Sequence, residues 1–343
     1  MKNKLVITLL TVCLGSLPIC AGSNPAAYLK AGVGARALGM GGAFTSIADD
    51  PSAAYWNPAG LGTINRLAVS TMVQNLGSVD YPSLEDVAPD YQYAAVVMPL
   101  HKAGLLNLGT VGVSWISNSL DNIPWTTVDG SGQIQQSSFN DSENAYIISY
   151  GQSFIDRDFY AGVNLKYLNQ TFSNINDASA AGYGLEGGVL YRLDSRLSIG
   201  LVIDSGIKMK WSNGHQDQGS IRNKCGASCK IVNQNRLSVL VAADLIQTRN
   251  RPLDAHLGSE FTYKLALGNE AVMFKKLSLR LGVDGLALEN KYNNQGIMNE
   301  DIKWTMGTGF TFAIMNQDLG IDYSFGSYRT GALHRLSFAF MFL

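Results

Sequence analysis

Three groups of residues in this chain are of types that do chemistry. Asp49-Asp50 is an adjacent carboxylate pair ahead of Pro51. Two such groups can contact a cation or a ligand. The same residues can cap the short run Ser52-Ala53-Ala54-Tyr55-Trp56, with Asp50 as the cap and Pro51 at the first helical position, and capping is the preferred reading. Cys225 and Cys229 are the second group. Four residues along a strand cover about 13 Å, whereas a disulfide holds its Cα atoms about 4.4–6.8 Å apart. On a strand the two are free thiols; in an outer loop of an oxidising compartment they would pair. The third group is the glycine-rich stretch Gly32 to Gly62. Its Gly32-x-Gly34 is followed by Gly39, so the spacing of a dinucleotide-binding turn is missed, and no Gly-Lys-Ser/Thr follows.

The remaining signals argue against catalysis. His101, His215, His256 and His334 are scattered singly, short of a metal-ligand set. There is no Gly-x-Ser-x-Gly elbow and no His-Glu-x-x-His. The residues therefore predict no enzyme, no metal and no cofactor. A net charge of −1 over 343 residues gives no basic field for nucleic acid.

The elements that must position these residues are legible from composition and period. Only 15% of residues are charged, 36 are glycine, and mean hydropathy is near zero at +0.03. That balance suits a membrane barrel, in which alternate residues of each strand face lipid and a polar interior. Residues 1–23 read as a signal peptide: Lys2 and Lys4, an apolar core from Leu5 to Leu17, then Ala21-Gly22-Ser23 for cleavage. Cys13 and Cys20 leave with it. No later run approaches 18 apolar residues, so no helix is expected to cross a membrane.

After residue 64 the sequence turns to short segments of period two. Strands are expected near 67–75, 91–100, 105–117, 143–153, 158–172, 182–193, 196–206, 235–246, 253–265, 276–288, 302–314, 318–327 and 333–343. Single-chain barrels have even strand numbers, and short inner turns alternating with long outer loops leave one strand missing between 207 and 234. Ile221 to Val232 supplies it, with Cys225, Ala227 and Cys229 on one face and Arg222, Lys224, Ser228 and Lys230 on the other. The fold class expected is all-β, a transmembrane antiparallel barrel of about 14 strands. Residues 76–90 and 118–142 are expected as long outer loops, and Ala266 to Lys275 as an uncomfortably long inner turn. The lumen would carry Lys166, Glu186, Arg192, Arg222, Lys224, Lys230, Asp244, Glu260, Lys264, Arg280, Asp284, Lys303, Asp322 and Arg335. Such charges either line a conduction path or hold a plug in place.

The stretch before the strands is neither strand nor amphipathic helix. Arg36-Ala37-Leu38-Gly39-Met40-Gly41-Gly42-Ala43-Phe44, then Ala48-Asp49-Asp50, then Trp56-Asn57-Pro58-Ala59-Gly60-Leu61, resembles the N-terminal hatch of FadL-like outer-membrane transporters and of the related PorV/PorQ-like proteins. The resemblance implies three parts: signal peptide 1–23, hatch 24–64, and barrel 65–343. It implies uptake of hydrophobic, fatty-acid-like small molecules across the outer membrane of a Gram-negative-type cell, in contact with outer-membrane lipid. The PorV/PorQ branch implies the alternative, a barrel that binds proteins of a secretion or surface-attachment system. In the transporter reading Phe44, Tyr55, Trp56 and Leu61 line the ligand pocket, or else pack the plug against the wall. Arg36, Gly39, Gly41, Gly42, Asp49, Asp50, Asn57, Pro58, Ala59 and Gly60 carry the hatch motif.

Overall fold

The computed structural model describes residues 25–76, 89–100, 108–128, 130–154, 158–175, 178–249, 251–268, 272–288, 303–315, 317–328 and 331–342. The expected signal peptide, most of the expected loop 76–90, the inner turn near 101–104 and the outer loop 289–301 lie outside them.

The strands are β1 (Ala68–Leu76), β2 (Asp90–Pro99), β3 (Thr110–Val128), β4 (Ile134–Phe154), β5 (Phe159–Phe172), β6 (Ser179–Arg192), β7 (Leu197–Trp211), β8 (Gln216–Gln218), β9 (Arg222–Asn233), β10 (Leu237–Thr248), β11 (Leu253–Gly268), β12 (Val272–Ala287), β13 (Lys303–Ile314), β14 (Gln317–Tyr328) and β15 (Gly331–Met341). β8 is a three-residue strand folded back on the end of β7; the other fourteen form one antiparallel sheet. β15 pairs with β1 from Ala68↔Met341 to Leu76↔Leu333, which closes the sheet into a barrel. Closure removes the free edges that an open sheet would present.

Period two explains the wall. In β6, residues alternate between exposed and buried along most of the strand. Tyr183 and Leu185 point outward while Glu186 is buried in the interior. The same holds around the barrel: large apolar side chains such as Val113, Ile148, Leu281 and Trp304 are on the outside, and Lys166, Asp204, Asp244, Glu260, Arg280 and Arg335 are inside and buried. Lipid is the solvent that such an exterior fits.

The expected strand at Ile221 to Val232 is β9, held between β7 and β10. Cys225 and Cys229 lie on it and are not joined by a disulfide. Three expectations are corrected. Residues 118–142 are not a loop: β3 and β4 run on to Val128 and Ile134 as a two-stranded ribbon. Both faces of that ribbon are largely exposed, so no inside–outside alternation marks it in the sequence. The inner turn at 266–275 shrinks because β11 continues to Gly268 and β12 starts at Val272; register shifts at Lys264/Leu267 and Phe274/Lys276 break the alternation there. Lys230 and Lys264, expected in the lumen, are exposed near that rim.

Residues 25–64 lie within the barrel. They form two one-turn helices, α1 (Ala35–Gly39) and α2 (Ala53–Trp56), and 3₁₀ turns at Ala27–Ala31 and Pro58–Thr63. α2 begins two residues later than the cap reading required. Asp50 Oδ1 accepts from Ser52 N at 2.9 Å and so organises the turn before the helix. Val33, Met40, Phe44 and Leu61 are completely buried.

The fit depends on glycine in the wall. A Cβ on Gly162 would lie 2.3 Å from the Pro58 carbonyl carbon, on Gly200 2.3 Å from Thr45 O, on Gly258 2.4 Å from Met40 O, and on Gly282 2.2 Å from Gly41 N. These positions come from β5, β7, β11 and β12, so hatch backbone meets wall backbone around much of the circumference. Within the hatch, Gly41 and Gly42 take φ of 65° and 76°, which only glycine adopts freely.

Gly188 and Gly187 separate this role from strand propensity. A Cβ on Gly188 would stand 2.1 Å from Asn57 Oδ1, whereas one on the exposed neighbour Gly187 meets nothing within 4 Å. Gly188→Val is expected to give an inserted barrel with raised single-channel conductance in planar bilayers, and Gly187→Val to conduct like the parent. Equal conductance of the two variants would mean that this contact does not seat the hatch.

Candidate functional site

The hatch carries little regular structure; its own turns bond part of its backbone, as in Leu38 N to Gly34 O and Ile47 N to Phe44 O, and further groups need partners from outside it. The wall supplies several. Asp244 Oδ2 accepts from the backbone N–H of Phe44 at 3.0 Å and of Thr45 at 2.8 Å. Ser337 Oγ accepts from Ala35 N at 2.8 Å. Asn164 Nδ2 donates to Ala54 O at 2.7 Å, and Tyr93 donates its hydroxyl to Pro51 O at 3.2 Å. His256 Nδ1 lies 2.7 Å from Gly41 O, which fixes the proton on Nδ1 when that bond forms.

The motif residues do related work. Asn57 donates through Nδ2 to Thr45 O at 2.8 Å and to Val189 O of β6 at 3.1 Å, while its Oδ1 accepts from Ala59 N at 3.1 Å. Pro58 starts the 3₁₀ turn that Asn57 caps and leads to β1. Gly60 packs against Ala48, where any Cβ would stand 1.9 Å from a carbonyl oxygen. Gly39 packs on Gly307 of β13.

Arg36 is the ionic centre of the hatch. Its Nη1 pairs with Asp49 at 2.5 Å and Asp50 at 3.2 Å, and its Nε with Glu260 of β11 at 2.8 Å. Glu260 also takes Arg280 Nε of β12 at 2.8 Å, and Arg280 Nη1 reaches Asp322 of β14 at 2.7 Å. One buried carboxylate thus holds two guanidinium groups, one from the plug and one from the wall. Burial raises the pKa of Asp50, and Arg36 beside it works against that rise. Burial alone would lower the pKa of Arg36; Asp49, Glu260 and Asp50 outweigh it and hold the guanidinium charged. A second cluster lies across the lumen, where Lys166 Nζ is 2.9 Å from both Glu186 and Asp204.

The four aromatic and apolar hatch residues divide. Tyr55 and Trp56 stack edge to face at 5.0 Å between ring centroids and both line a cavity of about 340 Å³. Tyr55 donates its hydroxyl to Leu29 O, and Trp56 Nε1 donates to Val33 O at 2.9 Å. Phe44 is packed beneath Trp56 with Arg36 over its ring, and Leu61 is pressed against the wall at Gly112 and Gly151; neither lines the cavity. The cavity is bounded by Thr248, Gly285, Lys303 and Leu333, at strand ends opposite the start of β1 and the end of β15.

Sequence reasoning missed Asp204 and the roles of Ser337, Tyr93 and His256. Asp204 sits on β7 beside the register shift at Gly184/Glu186, where strict alternation is lost. Ser337, Tyr93 and His256 had the correct period, but nothing local indicates that hatch carbonyls and N–H groups lie opposite them.

Fold and site together define a plugged transmembrane β-barrel. No protein-family model and no curated protein matches the chain. Solved structures do. The toluene transporter TodX of Pseudomonas putida superposes with a TM-score of 0.54 at 10% identity, over 90% of this chain and 98% of that one. The toluene transporter TbuX of Ralstonia pickettii gives 0.53 at 11% identity, over 90% and 98%. At such identities the likeness is one of fold.

Glu260 faces two cations, so its loss leaves Arg36 and Arg280 opposed. Breaking a buried pair costs about 3–5 kcal/mol, less where water enters. Glu260→Gln is expected to lower the unfolding temperature more than Arg36→Gln, and the double variant little further than Glu260→Gln alone. Strictly additive losses in a thermal-unfolding cycle would show that the three groups do not act together.

Proposed function

We propose that the protein is an outer-membrane barrel for the uptake of hydrophobic small molecules. The observation that carries this reading is a closed barrel whose lumen is filled by the hatch, with a cavity open on one side of it and floored by Tyr55 and Trp56. Similarity of fold to two toluene transporters supports it. In this reading the cavity end faces outside, and both the chain's exit from the hatch and its C-terminus face the periplasm. The ligand arrives at the cavity and rests on the Tyr55–Trp56 pair. Passage then requires the hatch to shift, because hatch and wall backbones are in contact around the lumen. Some of the bonds that hold it are single hydrogen bonds from neutral wall side chains, Ser337, Asn164 and Tyr93, each worth about 0.5–1.5 kcal/mol, while the contacts of Asp244 and Glu260 are charged and hold more strongly.

The β3–β4 ribbon favours a second reading. β3 and β4 run 19 and 21 residues, against about 9–11 for a membrane-crossing strand, and beyond Leu120 the ribbon extends about 25 Å at about 3.3 Å per residue. Such a ribbon suits protein recognition, as in a barrel serving a secretion or surface-attachment system.

Two measurements separate the readings. Cells expressing the chain are expected to accumulate radiolabelled toluene or fatty acid faster than cells without it. Removing residues 24–62 is expected to leave an inserted barrel with raised small-ion conductance. Unchanged uptake together with a partner protein co-purifying through residues 120–140 would favour the second reading, and a deletion that conducts no more than the intact chain would end the plug assignment.

A further inference from the structure

The cavity above the hatch is not the surface that a neutral hydrocarbon would select. Six basic side chains border it: Lys30, Arg222, Lys224, Arg251, Lys303 and Arg335. Among the described residues the carboxylates that do are Asp254 and Asp284. Positive charge therefore outnumbers negative among the described lining residues, and a cavity with low-dielectric walls concentrates such a field on its contents.

Lys224 is the informative member. It is 1% exposed, projecting from β9 at the outer end of the wall. Its Nζ has three N–H donors. The structure gives it one long hydrogen bond, 3.5 Å to Trp56 O, and places it 5.3 and 5.6 Å from the ring centroids of Tyr55 and Trp56. Among the described residues no carboxylate lies within the 4.0 Å of an ion pair, although Lys166 in the same lumen has two at 2.9 Å. Glu186 and Asp204 act on it only from beyond that distance, and a buried ammonium with no carboxylate in contact is costly. Here it borders a cavity on one side and the two aromatic rings on the other.

We propose that this cavity binds a compact organic anion, an aromatic carboxylate, with the acidic group on Lys224 and the ring against Trp56. The anion supplies the charge that Lys224 lacks. Leu38, Ile246 and the Trp56 ring provide the apolar surface for its body. Size restricts the choice: about 340 Å³ is at the small end of ligand pockets. The assignment rests on the uptake reading only for what happens after binding, since the binding step stands on the cavity itself.

The test is calorimetric titration of the intact chain in phosphatidylcholine nanodiscs, with benzoate and with its neutral isostere benzamide. Benzoate is expected to bind about tenfold or more tightly than benzamide, the value of a charged hydrogen bond. Lys224→Met is expected to lose that preference and Lys224→Arg to keep it, with heat-modifiable mobility on gels showing that each variant is folded. Equal affinity for the two probes in the intact chain would overturn the proposal whatever the variants do. So would a Lys224→Met barrel that still prefers benzoate. Uptake is measured separately in cells. A chain that prefers benzoate through Lys224 but carries no toluene or fatty acid inward keeps the site and loses the transport reading. A chain that carries toluene yet does not distinguish the probes keeps transport and loses the site.

Discussion

The structure depends on one constraint: a forty-residue segment made of short turns, without long helices or strands, has to be buried inside a polar tube. Buried backbone N–H and C=O groups must find partners. Turns within the hatch satisfy many of them, and the wall supplies partners for others. Asp244, Ser337 and Asn164 each bond hatch backbone, and Asn57 of the hatch bonds wall backbone at Val189. Such bonds need short distances, and short distances need wall positions without side chains. Gly162, Gly188, Gly200, Gly258 and Gly282 meet that need, each at a place where a Cβ would lie within 2.4 Å of a hatch atom. The high glycine content is therefore a property of the interface between hatch and wall more than of turns.

Charge adds a second layer to the same interface. The line Asp49–Arg36–Glu260–Arg280–Asp322 starts in the hatch and ends three strands along the wall. Isolated buried ion pairs contribute little net stability, because desolvation offsets attraction. Their geometry nevertheless favours one seating of the hatch, since a rotation would break the Arg36–Glu260 pair that joins hatch to wall. Tight packing and directional bonds together account for a plug that is well seated without long helices.

The opposite face of the hatch is different. There Tyr55, Trp56 and Lys224 border a cavity rimmed by basic residues. A plug that is bonded below and open to a charged cavity above has two unequal sides. The cavity side presents aromatic rings and cations, together with His256, whose Nδ1 lies against Gly41 O.

Strand number and facing were determined by the sequence, because a barrel wall has one apolar and one polar surface and period two records it residue by residue. Even β9 was found this way, from Arg222, Lys224 and Ser228 alternating with Cys225, Ala227 and Cys229. Period placed Glu260 and Arg280 in the lumen, and the register of β11 with β12 sets them side by side. The β3–β4 ribbon was hidden because a strand exposed on both faces has no alternation to read. What only the tertiary structure decided was which residues meet across the lumen. Asp244 is 199 residues from Thr45, and Ser337 is 302 from Ala35. Local pattern holds no information on such distances, since they are set when the barrel closes and the hatch is seated. For the same reason the sequence offered Phe44, Tyr55, Trp56 and Leu61 as equals, and only the seating of the hatch put two of them on the cavity and two against packing neighbours.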